Sequence, residues 1–440
     1  MSKYFYKLLF KYLSIYIFAA DKLVSVFPSS EKLQEKFHWA RTVHKSNDNC
    51  TESENDQSMP FEEISAYDPD YILLDGTLHY ERDIQSLLER IAGQCLNHTR
   101  LVVTFYSALW KPFISFATFL GLRGKLPEEN WIAPEDVNNL LLLSGFEQVR
   151  SESRILFPVY IPIVSNLINR YLAPLPLFRA FNVVTFIVAR PITTLSEPEW
   201  KPSVSVVVAA RNEEGNIEEI IRRLPKMGPD DELILIEGNS TDNTWEKIQE
   251  TYKLHKHKIN MQIGQQDGLG KGDAVRKGFG MARKDILMIL DADLTVPPED
   301  LPKFYKAIVS GKGEYINGSR LVYPMEEKAM RFFNIIGNKF FALAFSFVLG
   351  QRFKDTLCGT KVLTNENYQK LARHREFFGD FDPFGDFDLI FGSSRMCLKI
   401  VEVPISYRER TYGNTNISRW SHGVLLLKML VFAARKIKFI

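Results

Sequence analysis

Cysteine is scarce: the 440 residues hold four, Cys50, Cys95, Cys358 and Cys397, and no two of them form a Cys-x-x-Cys pair. So few thiols neither staple a chain of this length nor suggest a thiolate metal site, and they fit a reducing, cytoplasmic compartment. Glycine is absent before Gly76, so the first stretch has no loop at which the backbone could approach a phosphate or cofactor closely. An excess of one charge is missing too. The 55 basic and 53 acidic side chains leave +2, which implies no nucleic-acid partner. A secretory signal is not expected, because Lys3, Lys7, Lys11, Asp21 and Lys22 interrupt the apolar start, residues 4–27, and no small-residue cleavage site follows.

What is plentiful is aromatic carbon, 32 Phe and 17 Tyr, much of it beside Lys and Arg as on a membrane-surface protein. With 45% hydrophobic and 25% charged residues the chain reads as folded. Its length exceeds one core, which stops growing near ~250–300 residues. Residues 1–60 are expected to be an amphipathic segment, its helix lying on a membrane or on the rest of the protein, ending in a mobile acidic linker, SNDNCTESENDQSMP at 46–60. Residues 61–190 alternate strand and helix: YILL at 71, a helix over 83–92, RLVVTFY at 100, a helix over 136–143, then GFEQV and RILFPV as a closing strand pair. A proline-bearing linker over 191–202 precedes a second domain, 203–440, whose strands and helices alternate as in an open, mostly parallel sheet.

The chemistry lies in that second part. VSVVVAARNEEGNI at 204–217 and LILIEGNSTDNTWEKI at 233–248 are apolar strands that end in polar, acidic loops, the place where α/β sheets bind ligands. GKGDAVRKGF at 270–279 puts glycines and Lys271 at a helix entry, where amides could face a phosphate, although it is neither a P-loop nor GxGxxG. ILMILDADLTVPPEDL at 286–301 ejects Asp291 and Asp293 on one side of a strand end. Two aligned carboxylates beside a phosphate site suit a hard divalent cation, Mg²⁺ or Mn²⁺.

The order of these four motifs, followed by INGSR at 316, DTLCGTKVL at 355, FGDFDLIFG at 384 and VEVPISYRERTYGNTNISRW at 401, resembles the family 2 glycosyltransferases, in the branch that acts on lipid-linked acceptors. The resemblance implies a nucleotide-sugar-binding α/β domain of the GT-A type. It implies that Arg211, Glu213, Glu237 and Asp242 line the base and ribose pocket, that Lys271 and Asp273 lie near the phosphates, and that Asp291 and Asp293 hold the metal. Glu237 stands where Asp is common in the family. The resemblance also places a base for the acceptor hydroxyl at Asp386, with Asp388 its rival, and Arg408, Arg410 and Arg419 could clamp the diphosphate. His422 is expected to be structural.

Residues 71–158 resemble the later half of a class I S-adenosylmethionine-dependent methyltransferase, without the glycine-rich loop such domains use. A degenerate partial Rossmann-like domain that binds no S-adenosylmethionine is therefore expected. The leading expectation is an inverting, metal-assisted glycosyltransferase with a nucleotide-sugar donor, a lipid-linked or glycan acceptor, and peripheral contact with the cytoplasmic membrane face. Residues 332–350 are borderline as a membrane span, and the basic C-terminus is expected to be an amphipathic helix. A methyltransferase, alone or alongside sugar transfer, and a noncatalytic membrane-bound scaffold are the competing readings.

Overall fold

The computed structural model describes residues 3–19, 21–28, 31–44, 58–119, 130–192, 201–322, 332–373, 375, 387–408, 410, 412 and 419–440. The chain divides into two compact units, Met1–Thr193 with Arg435–Ile440, and Thr194–Ala434.

In the first unit, helix α1 (Lys3–Leu13) precedes six strands: β1 (Leu23–Val26), β2 (Arg41–Val43), β3 (Tyr71–Asp75), β4 (Arg100–Tyr106), β5 (Phe146–Arg154) and β6 (Val184–Pro191). Their order is β2-β1-β3-β4-β6-β5. The first four run parallel, while β6 is antiparallel to both β4 and β5. Helices α2 (Ile84–Ala92), α3 (Lys111–Phe119) and α4 (Pro134–Leu143) fall between strands. The start of α2 is fixed by Asp83, whose side chain accepts from the Ser86 amide.

Three sequence expectations change here. The aromatic start is no separate peripheral segment: α1 buries Phe5, Leu8, Leu9, Tyr12 and Leu13, and β1 joins the sheet between β2 and β3. Its apolar residues find a sheet of this chain to cover. The closing pair is not GFEQV with RILFPV. Residues 146–154 form one strand whose partner is β6, and Ile155, at φ 68°, ends it. The C-terminal helix also divides, because Arg435–Ile440 belongs to the first unit. There Ile437 is buried, Arg154 donates to the Lys438 carbonyl, and the Lys438 ammonium reaches Glu152.

Among its described residues the second unit holds seven strands: β7 (Val204–Ala210), β8 (Glu232–Glu237), β9 (Asn260–Gln265), β10 (Ile286–Ile289), β11 (Tyr315–Ser319), β12 (Lys361–Thr364) and β13 (Ile400–Pro404). Helices α5 (Ile217–Arg223), α6 (Thr244–His255), α7 (Lys271–Met281) and α8 (Leu301–Val309) cross between them; α9 (Phe332–Leu349), α10 (Asn365–Arg373), α11 (Phe387–Arg395) and α12 (Arg419–Ala433) follow. The strand order is β13-β11-β12-β10-β7-β8-β9. Only β12 runs against its neighbours. The expected α/β class with mixed, mostly parallel sheets holds. From β7 the chain winds to β8 and β9 on one side, then crosses to β10 on the other. The crevice between the carboxyl ends of β7 and β10 is thus the switch point at which open α/β sheets bind ligands. Among the described residues no helix is long and apolar enough to cross a membrane.

Candidate active site at the β7–β10 switch point

The two loops beyond β7 and β8 are sewn together. Asn212, at φ 57°, accepts from the Thr241 amide at 2.8 Å, its own amide donates to Ser240 Oγ, and the Glu213 amide donates to Thr244 Oγ1 at 2.9 Å. Asn239 also takes a left-handed backbone, φ 58°. Asparagine tolerates that region better than most residues, which accounts for both positions. Glu237 ends β8 buried, and its oxygens accept from the Ser240 amide and Gln265 Nε2. Asp242 is taken up by the Thr244 amide and hydroxyl. These two carboxylates therefore set the loop's shape, while Arg211 stands exposed beside them.

Asp273, in the first turn of α7, accepts from the amides of Asp267 and Gly268 at 3.1 and 2.7 Å and so holds the loop that leads into the helix. Gly270 caps that helix at φ 85°, a conformation open to glycine. The next residue, Lys271, reaches across to Asp291 at 2.7 Å. Burial pushes the Asp291 carboxyl up, but Lys271, with Lys361 and Arg320 behind it, more than offsets this and holds it below the ordinary carboxylate value.

Asp293 lies two residues on. Its Oδ1 accepts from the Thr295 amide and hydroxyl, and its Oδ2 meets Arg410 at 2.7 Å. Between the aspartates and that threonine, Leu294 has φ 54°. A left-handed backbone on a leucine is costly, and such strain gathers at functional sites. Arg410 also binds Glu213 at 3.0 Å, so one guanidinium bridges the ends of β7 and β10. Burial raises Glu213 to about 7, with Asp293 adding to the rise and Arg410 and Asn216 opposing it. Tyr412 extends this lining: a Cβ on Gly215 would come within 2.6 Å of its ring.

The structure thus brings together Glu213, Lys271, Asp291, Asp293 and Arg410 from motifs far apart in sequence. It does not bring in every expected residue. Arg408 is exposed and contacts the site through its amide, which donates to the Thr295 carbonyl. Asp388 is buried in the first turn of α11 and paired with Arg375 at 2.9 Å. Asp386 lies outside the described residues, as do the side chains of Arg419 and His422.

Two residues behind the aspartates escaped sequence reasoning. A Cβ on Gly359 would sit 2.1 Å from Asp291 Oδ2, so only glycine leaves the carboxylate its place. Lys361 is fully buried and donates to Asn317 Oδ1 at 2.8 Å and to the Cys358 carbonyl. The signal was a lysine inside the apolar run GTKVL. Beside it, buried Asp355 receives Arg320 through two nitrogens, at 2.7 and 2.9 Å, and Asn338 at 3.0 Å.

Among the described residues no group of three or more His, Cys, Asp or Glu is gathered to hold a metal. The donors do suit a cation that takes one or two carboxylates and completes its shell with phosphate oxygens and water, as Mg²⁺ does. Asp291 and Asp293 are such a pair, and each already holds a positive side chain.

The family model described as Glycosyl transferase family 2 matches residues 205–372. A dolichol-phosphate mannosyltransferase of Pyrococcus furiosus is 28% identical over 220 residues, 49% of this chain and 59% of that protein. A dolichyl-phosphate hexose transferase of Haloferax volcanii is 26% identical over 232 residues, 52% of this chain and 92% of that protein. A crystal structure of glucosyl-3-phosphoglycerate synthase from Mycobacterium tuberculosis, in complex with Mn²⁺, UDP and glucosyl-3-phosphoglycerate, aligns at 18% identity over 56% of this chain and 86% of its own, with a TM-score of 0.40.

Proposed function

We propose that this chain, whose residues 205–372 match the model of the family 2 glycosyltransferases, transfers a sugar from a nucleotide-sugar donor to an acceptor hydroxyl or phosphate, with inversion at the anomeric carbon. The observation that carries the reading is the convergence of Glu213, Lys271, Asp291, Asp293 and Arg410 at the switch point. Two cationic side chains there face three carboxylates. A divalent cation held by Asp291 and Asp293 would supply the positive charge that a departing nucleoside diphosphate requires.

The chain's own groups do the rest. Lys271, the first residue of α7, reaches Asp291 and together with the helix N-terminal amides would orient a phosphate there. Arg410 bridges Glu213 and Asp293 and would turn one of its nitrogens to the diphosphate. The loop built on Asn212, Glu237, Ser240 and Asp242 supplies a shaped wall for the nucleoside. A hydroxyl acceptor would need a carboxylate to take its proton, a role we give to Asp386, since Asp388 is engaged by Arg375; a phosphate acceptor is already ionised and needs none. The names of the relatives favour a polyprenyl-phosphate acceptor, met at the membrane surface.

The first unit is proposed to be noncatalytic. Its own switch point, between β1 and β3, is closed by Thr77, whose hydroxyl reaches the carbonyls of Val26 and Phe27, and by Thr104 on Asp75. Micromolar S-adenosylmethionine binding in calorimetry would overturn this. For the activity, a panel of UDP- and GDP-sugars with Mg²⁺ or Mn²⁺ should give transfer or hydrolysis by the wild type, and far less by Asp293→Ala and Asp386→Asn. Undiminished turnover in Asp293→Ala removes the metal assignment, and in Asp386→Asn it moves the base elsewhere.

A further inference from the structure

The first unit shows an apolar face that the reading above does not use. Along α3, Phe113, Phe116 and Phe119 recur every third residue, and they are 68%, 61% and 84% exposed. Such spacing puts all three on one side of the helix. A second group follows along residues 159–181, where Ile163 and Leu177 are 73% and 79% exposed. The two groups adjoin. Trp110, whose ring meets Phe113 at a tilt with 5.5 Å between centres, donates its indole N–H to the Phe181 carbonyl at 2.9 Å. At the other end Tyr160 packs on Tyr4 of α1, 5.1 Å between ring centres, and the Tyr4 hydroxyl donates to Asn166.

Among the described residues of the segments that build this face, charge has one sign. Residues 3–13, 107–119 and 155–182 contain no Asp or Glu, while Lys3, Lys7, Lys11, Lys111, Arg170 and Arg179 are all exposed. Contiguous exposed apolar patches mark interaction sites. A second copy meeting it through the same face would set the described like charges of these segments against each other. Phe and Leu beside Lys and Arg, with Trp and Tyr between, are instead the composition that lies in a lipid headgroup region.

We propose that this face, built on α3 and residues 159–181, docks the protein on an anionic lipid bilayer. The phenylalanines enter the acyl boundary, and Lys111, Arg170 and Arg179 meet the headgroups. The inference does not depend on sugar transfer, because its readout is binding alone.

The test is sedimentation of the full chain with vesicles of phosphatidylcholine, with and without phosphatidylglycerol. Binding should appear with the anionic lipid and weaken with salt. Replacing Phe113, Phe116 and Phe119 together by Ser should lower the partition coefficient by roughly tenfold or more, and Lys111→Ala or Arg179→Ala should each lower it by about fivefold on anionic vesicles only. The thermal midpoint of the triple variant should match wild type, since these side chains are exposed. No binding to anionic vesicles, or binding that the folded triple variant retains, overturns the proposal. So does a dimer seen by light scattering that the triple variant dissolves while vesicles remain unbound, since a second copy would then own the face.

Discussion

Gly359→Ala isolates the placement of Asp291. The new Cβ would lie 2.1 Å from Oδ2, 2.4 Å from Oδ1 and 2.6 Å from Cγ of that aspartate. Ordinary contact needs about 3.5 Å, so either the carboxylate or the loop gives way by about 1 Å. A carboxylate displaced that far leaves Lys271, now 2.7 Å away, beyond hydrogen-bond reach. The loss of a charged hydrogen bond costs about 1.5–3 kcal/mol. For the chemistry the consequence is larger, since a misplacement of about 1 Å costs on the order of 10²-fold in rate. Mn²⁺ titrations of nucleotide-sugar hydrolysis should show kcat/KM falling by about that factor and half-saturation moving to higher Mn²⁺, while circular dichroism remains that of wild type. Wild-type turnover with an unchanged Mn²⁺ requirement would refute the placement of Asp291 against this glycine.

Asp355→Ala leaves Arg320 buried without its main partner and should destabilise the second unit by about 3–5 kcal/mol in urea unfolding. Acid tests the same pair: burial pushes the Asp355 carboxyl up, Arg320 more than offsets this, and it titrates at about 2 against an ordinary 3.8. A depressed carboxylate stabilises the fold above its unfolded value, so about 2 kcal/mol should be lost as pH falls from near 4 toward 2, and Asp355→Asn should flatten that part of the profile. Gly278→Ala drives a methyl to 2.3 Å from Val207 Cγ1, where α7 lies on β7, and should cost about 1–3 kcal/mol in thermal unfolding. Arg410→Ala leaves buried Glu213 with one fewer cation, which favours its protonated form. The nucleotide-sugar KM should rise, and the acid limb of kcat/KM should shift upward in pH relative to wild type.

Much of the second unit was legible because its strands are buried on both faces and read as unbroken apolar runs that stop at polar loops. The Asp291–Asp293 pair, Lys271 and Glu213 stood at those stops. Arg410 stood in a polar loop far along the chain, and its bridging of Glu213 and Asp293 depends on tertiary placement that spacing does not encode. Glu237, Asp242 and Asp273 were readable as loop carboxylates, but not as groups whose oxygens are occupied by neighbouring amides and hydroxyls. Gly359 was hidden for a similar reason, since its necessity lies in a carboxylate 68 positions earlier in the chain. In the first unit the aromatic residues of α1 resembled a surface segment because a helix amphipathic enough to sit on a membrane is equally suited to a sheet. The pairing of β5 with β6 joins residues some 30–45 positions apart, a distance at which local pattern is silent.

The most direct test of the central claim is calorimetry of UDP and GDP binding with and without Mn²⁺, on wild type and Asp291→Asn. The account predicts that one of the two nucleotides binds wild type, that Mn²⁺ tightens it by tenfold or more through roughly 1.4 kcal/mol of coupling, and that Asp291→Asn abolishes the Mn²⁺ effect. Binding of neither nucleotide, or a Mn²⁺ effect that survives in Asp291→Asn, would contradict it.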